Sequence, residues 1–208
     1  MKVKALEKNK KPRGRPKIIE YDATLKIAMH AYWSKGIDGM SVNEVCRLAN
    51  VSKPSLYREF GNEDSLLSEV IKHYAIGFHH KLTNLLSMNK TFNKTLNGLA
   101  DFTSFRRDQS ITPKGCLAQK SFQAIDRLGE KSRAELEALG DKTLDIFKKW
   151  VTKSRREVIL DSDWDDREIA EYILSIFSHA MRMNDQEKNP EQIKKTVLMA
   201  LSPLVTKS

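Results

Sequence analysis

The stretch Ser52-Lys53-Pro54-Ser55-Leu56-Tyr57-Arg58 gathers side chains suited to a polyanion. The Ser52 and Ser55 hydroxyls, the Lys53 ammonium, the Tyr57 phenol and the Arg58 guanidinium can all reach phosphate oxygens, and Lys53 can reach a guanine edge. A second such stretch lies near the start of the chain, where Lys10–Lys17 reads KKPRGRPK. Gly14 allows the backbone to approach a groove floor closely, and Pro12 and Pro16 hold the flanks extended. Arg13 and Arg15 can then follow a narrow groove whose negative potential attracts arginine, with Lys17 alongside. Each stretch also has a plainer reading. The first suits a helical corner in any bundle, and the second suits a solvated basic tail.

Other chemistries lack a constellation. There is no H-E-x-x-H, C-x-x-C, Walker A loop or G-x-S-x-G, so no catalytic site and no cofactor or metal is expected. His79 and His80 point about 100° apart on a helix, and with His73 they read as surface or packing residues. Asp161, Asp163, Asp165 and Asp166 lack the central glycine and ligand order of a calcium loop. They read as a linker and helix start. Two cysteines, Cys46 and Cys116, give no disulfide framework and read as reduced, packed thiols. Cys116 as a redox sensor finds little support, because only Lys114 lies close enough in sequence to favour a thiolate.

Charge is placed unevenly. Residues 1–20 hold eight Lys/Arg against Glu7 and Glu20, so +6 of the net +9 sits in this arm. A basic arm on a nearly balanced body points to nucleic acid or an anionic membrane surface. No apolar run approaches the roughly 20 residues of a membrane span, and no signal-peptide core opens the chain. The expectation is a soluble, cytoplasmic, DNA-associated protein. With 208 residues, 40% of them hydrophobic, the chain can bury one or two sizeable cores.

The elements that must position these residues all read as helices, so the expected fold class is all-α, with about nine helices. Residues 1–20 show no period and read as a disordered arm. Helix 1 is expected from an Asp22 cap to just before Gly36, with Leu25, Ala28, Met29 and Tyr32 on one face. Ser41 and Glu44 form an S-x-x-E capping box that starts helix 2. Asn50 sits where a tight turn needs a left-handed residue, and Val51 plugs that turn from inside. Helix 3 follows Ser52, with Pro54 tolerated in its first turn, and ends near Phe60–Gly61. Asn62 caps helix 4, which runs to about Leu86. Further helices are expected near 91–109, 115–128, 131–155, 165–183 and 190–205. Two short helices about a tight turn are the helix-turn-helix arrangement that places a second helix in the DNA major groove.

The segment TLKIAMHAYWSKGIDGMSVNEVCRLANVSKPSLYREFGNEDSLLSEVI, residues 24–71 and about a quarter of the chain, resembles the DNA-binding domain of the tetracycline-repressor-like (TetR) family. The resemblance rests on the helix ending at Gly36, on SVNEV, on ANVSKPSLYREF and on the LL of the next helix. KGCLA (Lys114–Ala118) is a weaker echo of a motif found mid-chain in many members. Three positions depart from the family pattern. Asn50 replaces its usual turn glycine, Pro54 a common small residue, and Glu63 a lysine that often helps hold phosphate. The basic arm is placed to compensate for that lysine, and its PRGRP core resembles the AT-hook of minor-groove binders. Homeodomains combine a major-groove helix with such an arm. The expected DNA-contacting set is therefore Arg13, Gly14, Arg15, Lys17, Thr24, Ser41, Val42, Ser52, Lys53, Pro54, Ser55, Tyr57 and Arg58.

The resemblance implies an organisation in three parts: arm (1–20), helix-turn-helix domain (21–61) and a helical ligand-binding and dimerisation domain (62–208). The last two helices would pair with a second subunit, through stripes such as Ile169, Tyr172, Ile173, Ile176, Phe177 and Ile193, Val197, Leu198, Leu201. A twofold dimer implies a near-palindromic operator, here with A·T-rich flanks. Family members commonly hold a small effector, and the candidate pocket residues are Phe78, Leu82, Phe102, Phe105, Cys116, Phe122, Ile125, Phe147 and Trp150. Each serves equally well as ordinary core. The expected function is a sequence-specific transcriptional regulator, a repressor released from its operator by a small molecule. The alternative is an architectural binder of A·T-rich DNA without an effector.

Overall fold

A computed structural model describes residues 20–87, 91–105, 112–156 and 163–204. The arm, with Arg13, Gly14, Arg15 and Lys17, lies outside the described residues. Among those described there are nine α-helices and no strand. They are α1 (Tyr21–Lys35), α2 (Val42–Ala49), α3 (Lys53–Phe60), α4 (Glu63–Ser87), α5 (Phe92–Ser104), α6 (Leu117–Gln123), α7 (Glu130–Arg156), α8 (Asp166–Asp185) and α9 (Pro190–Leu201), with 3-10 turns at Ile125–Arg127 and Ser202–Leu204. None of these helices is long and apolar enough to cross a membrane.

Local chemistry sets most boundaries. Ser41 caps α2 in a reciprocal box with Glu44, Ser52 caps α3, and Asn62 Oδ1 accepts from the Ser65 N–H at the start of α4. Asp165 and Glu168 form a second box at α8, so this part of the aspartate cluster starts a helix. At α1 the cap is Glu20, without a side-chain bond, and Asp22 lies inside the first turn. The segment expected as one helix over 91–109 leaves helical geometry at Phe105. Over 115–128 the helix is short and gives way to the 3-10 turn at Ile125–Arg127.

Eight-residue helices such as α2 and α3 are too short to persist alone, since isolated helices need roughly 12–15 residues. Burial holds them. Val42, Val45, Leu56 and Phe60 pack with Leu25, Ala28 and Tyr32 of α1 and with Leu66, Leu67 and Val70 of α4. Each large side chain so buried contributes about 1.5–3 kcal/mol relative to exposure. The same core continues along α4 into the body, where α4 packs on α7, α5 on α9 and α7 on α8. The helix that leaves the three-helix head is therefore also the spine of the body.

Candidate nucleic-acid interface and an adjoining cavity

The turn between α2 and α3 is built by Asn50, which is left-handed (φ 53°, ψ 44°) and donates its N–H to the Arg47 carbonyl. Val51 N–H donates to the Cys46 carbonyl at 3.0 Å, and the Val51 side chain packs against the core. Beyond the turn, the Ser52 hydroxyl accepts from the Ser55 N–H at 3.2 Å and donates to the Ser55 hydroxyl at 2.8 Å. These bonds fix the start of α3. Leu56 and Phe60, four residues apart, then bury one face of the helix.

The opposite face carries Lys53, Pro54, Arg58 and Glu59 exposed, with Ser55 and Tyr57 half-buried. The Lys53 ammonium lies 5.3 Å from the centre of the Tyr57 ring, a cation–π arrangement that holds it against the helix surface. Glu44 is held below the usual carboxylate range by its bond to Lys35 and by the Ser41 backbone.

The expected contact residues separate into groups. Lys53, Pro54, Tyr57 and Arg58 share the outward side of α3. Ser41 and Ser52 sit at helix starts, but each hydroxyl is engaged in its cap. Thr24 and Val42 correct the expectation for their side chains. Both are buried, because each falls on the inward face of its helix, and each can offer only backbone to a ligand. Tyr21 and Glu69 tie α1 to α4 through a hydroxyl–carboxylate bond of 3.2 Å.

Contacts from the body hold this head in place. The Lys120 ammonium of α6 donates to the Trp33 carbonyl in the last turn of α1 and pairs with Asp185 of α8. Trp33 Nε1 donates to the Gly115 carbonyl at 3.3 Å, and Arg127 pairs with Asp38 at 3.1 Å. Asp64 of α4 caps α7, accepting from the backbone of Lys131 and Ser132 and, at 2.5 Å, from the Ser132 hydroxyl. Burial pushes the Asp64 carboxyl up, but these bonds outweigh it and hold the group below its ordinary value. Gly129 permits the approach, since a Cβ there would collide with the Asp64 carboxylate.

A cavity of about 210 Å³ lies where head and body meet. Met29 and Trp33 of α1 form one wall, and His73, Tyr74, Gly77, Phe78 and Lys81 of α4 another. Phe102 and Thr103 of α5, Phe105, the segment Thr112–Gly115, Met181 and Asn184 of α8, and Glu187 complete it. Of the candidates read from sequence, Phe78, Phe102 and Phe105 line this space. Cys116 stands behind the wall, buried, with Sγ 3.1 Å from the Tyr74 hydroxyl, and burial pushes its thiol pKa up. Leu82 and Phe147 are fully enclosed in the core, and Trp150 stacks on Phe92 at 4.8 Å. Phe122 and Ile125 pack half-buried against the core around α6. These six are corrections to the lining: core packing takes their side chains away from the space.

Met29, Trp33, His73, Gly77 and Lys81 were not expected in the lining. The one local signal was Gly77, a glycine inside a long helix, where it costs about 1 kcal/mol relative to alanine. His79 instead faces α7, with Nε2 3.1 Å from Thr143 Oγ1, and burial lowers its pKa. Among the described residues no three His, Cys, Asp or Glu side chains are grouped to hold a metal ion.

Comparison with known proteins bears on this arrangement. Residues 25–70 match the family described as "Bacterial regulatory proteins, tetR family". Over 72 residues, 35% of this chain and 34% of the relative, the chain is 36% identical to the HTH-type transcriptional repressor ComR of Escherichia coli K12. Over 120 residues, 58% and 61% of the two chains, it is 25% identical to the HTH-type transcriptional repressor BdcR of the same organism. The chain thus spans about a third to three fifths of the curated relatives it matches. Its fold is similar to that of the TetR family transcriptional regulator CifR, solved as a cysteine mutant complexed with 26bp double-strand operator DNA. That likeness has a TM-score of 0.75 at 21% identity, covering 92% of this chain and 100% of the other.

Proposed function

We propose, from the match of residues 25–70 to the tetR family of bacterial regulatory proteins and the likeness to a transcriptional repressor over 72 residues, that the protein is a member of that family, binds an operator through α3 and represses transcription from it in the cytoplasm. The observation that carries this reading is the outward face of α3. A helix capped by Ser52 and anchored by Leu56 and Phe60 displays Lys53, Pro54, Tyr57 and Arg58 together. Ammonium, guanidinium and phenol groups on one short helix suit phosphates and guanine edges in a major groove. The likeness to a regulator solved on operator DNA supports the same orientation.

Two copies would act together. Tyr172 and Ile176 of α8 and Leu198 of α9 stay half-buried in the single chain, and Met199 is 67% exposed. Apolar groups left at the surface of a long helix pair favour a helical partner. A twofold dimer through α8 and α9 presents two copies of α3 about one DNA turn apart, which calls for a near-palindromic operator. The basic arm, Arg13-Gly14-Arg15 with Lys17, extends the contact into the adjacent minor groove of A·T-rich flanks.

The cavity supports control by a small effector. Its walls include Met29 and Trp33 of the DNA-reading head as well as α4, α5 and α8 of the body. A molecule in it touches both parts, so it favours one spacing of the α3 pair over another. A coupling of about 1–3 kcal/mol changes operator affinity roughly 5–150-fold. DNase footprinting of the full chain tests the DNA reading. A discrete near-palindromic protected site supports it, and protection spread evenly over A·T-rich DNA supports the architectural alternative.

A further inference from the structure

Gly77 leaves room in the cavity wall. It lies in the interior of α4 and lines the space, and a Cβ built there would meet nothing within 4 Å. Alanine would fit and would favour the helix, so the glycine forgoes stability where it leaves space. Around it the wall is aromatic, with Trp33, Tyr74, Phe78, Phe102 and Phe105. Trp33 meets Tyr74 edge-on at 5.0 Å, and Tyr74 stacks with Phe78 at 5.8 Å. A flat ring entering here finds both faces and edges to pack against.

Size limits the occupant. At about 210 Å³ the space exceeds the roughly 150 Å³ of an apolar cavity that takes up benzene. It falls short of the roughly 300–1,000 Å³ that hold drug-sized ligands. One ring with a short substituent fills it.

The polar groups of the lining are already in use. Trp33 Nε1 donates to the Gly115 carbonyl at 3.3 Å, and the Tyr74 hydroxyl lies 3.1 Å from Cys116 Sγ. The Thr103 hydroxyl donates to the Ala100 carbonyl at 3.0 Å, and Asn184 Nδ2 donates to the Thr103 carbonyl at 2.9 Å. Charge is matched in the same way. Lys114 pairs with Glu187, the one acid of the described lining, and Lys81 is likewise engaged. His73 is half-buried in the α4 wall, and its imidazole can serve one hydrogen bond of a substituent without adding a fixed charge. An entering ion of either sign would lose its hydration and meet partners that are already taken. An uncharged ring loses little hydration and gains the aromatic contacts.

We propose that this cavity binds a compact, uncharged aromatic molecule, a single ring with a short neutral substituent, packed against Trp33, Tyr74 and Phe78. The proposal rests on the effector-responsive reading above and names the chemistry of that effector.

Calorimetry and thermal melting of the full chain test it at neutral pH and one ionic strength. The probes are phenol, benzyl alcohol and benzamide, against anionic benzoate, cationic benzylamine and the saturated cyclohexylmethanol. At least one neutral aromatic binds and raises the melting temperature, and the two ions bind at least about tenfold more weakly. Benzyl alcohol binds more tightly than cyclohexylmethanol. Gly77→Leu fills the space, so it removes binding while the melting temperature of the free protein holds or rises. Gly77→Met does the same should leucine impair folding. Binding of either ion as tight as that of the neutral aromatics overturns the proposal, as does the saturated alcohol matching benzyl alcohol. The absence of binding by all three neutral aromatics, or unchanged binding to a folded, filled variant, also overturns it. Operator affinity measured on the same samples separates the two readings. A neutral aromatic that binds without altering DNA affinity leaves the chemistry standing and removes the effector role. Release of DNA by a charged compound alone retains the effector role and removes the uncharged ring.

Discussion

Lys120 reaches back 87 residues in sequence to donate to the Trp33 carbonyl at 2.8 Å. That carbonyl lies in the last turn of α1, where backbone acceptors lack helical partners and the helix end favours a cation. The same ammonium pairs with Asp185 at 3.0 Å, so one side chain joins α1, α6 and α8. Lys120→Met leaves the carbonyl and the half-buried Asp185 carboxylate without it. We expect a loss of about 1–3 kcal/mol in urea unfolding. We also expect operator affinity to respond less to any effector, since the head is then tied less firmly to the body.

Asp64 makes stability depend on acid. Its folded-state pKa is depressed by bonds from Ser132 and Lys131 that outweigh the opposing effect of burial. The stabilisation is therefore complete above the ordinary aspartate value near 4 and is lost as pH falls through the lower folded value. Asp64→Asn weakens the protein at neutral pH, and its gap from the unaltered chain closes as the pH drops below about 4. Urea midpoints at a series of pH values check this, and a gap that does not change with pH contradicts it.

Asn50 tests the turn. A left-handed residue with a Cβ is tolerated best as asparagine and is relieved by glycine. Asn50→Ala should cost about 1–2 kcal/mol, while Asn50→Gly leaves thermal stability unchanged or slightly higher. Melting curves of the two variants decide it, and equal destabilisation by both would contradict the turn geometry.

The outward face of α3 predicts a clean separation of binding from folding. Lys53→Ala and Arg58→Ala should each weaken operator binding while the circular dichroism spectrum stays helical. A lost phosphate contact also flattens the plot of log affinity against log salt by about one unit. A variant that keeps full affinity removes that side chain from the contact.

The arm is predicted to add affinity rather than register. Deleting residues 1–17 should lower operator affinity several-fold and leave the palindromic preference intact, as measured by gel shift with matched and scrambled sites. Loss of site preference in the deletion would contradict the role given to α3.

The head was legible in sequence because its boundaries depend on local chemistry. The Ser41–Glu44 box, the Ser52 cap, left-handed Asn50 and the Asn62 cap each involve residues at most three or four apart. Asp22 was a plausible cap for α1, yet the cap lies two residues earlier, at Glu20. The cavity was less legible. Phe78, Phe102 and Phe105 were identifiable as aromatics, but Leu82, Phe147 and Trp150 have the same spacing and fill the core. Periodicity marks an inward side chain without telling whether that side chain meets another atom or empty space. Trp33 escaped notice because its place in the cavity depends on contacts with Gly115 and Lys120, more than 80 residues away.

The central claim is that α3 of a paired chain reads a twofold DNA site. Footprinting the full chain on its bound DNA, with the mass of the complex determined on the same sample, tests this most directly. The account predicts a discrete near-palindromic protected site occupied by an even number of chains, with half-sites about one helical turn apart. A single chain bound to DNA, or protection without preference for any sequence, would contradict it.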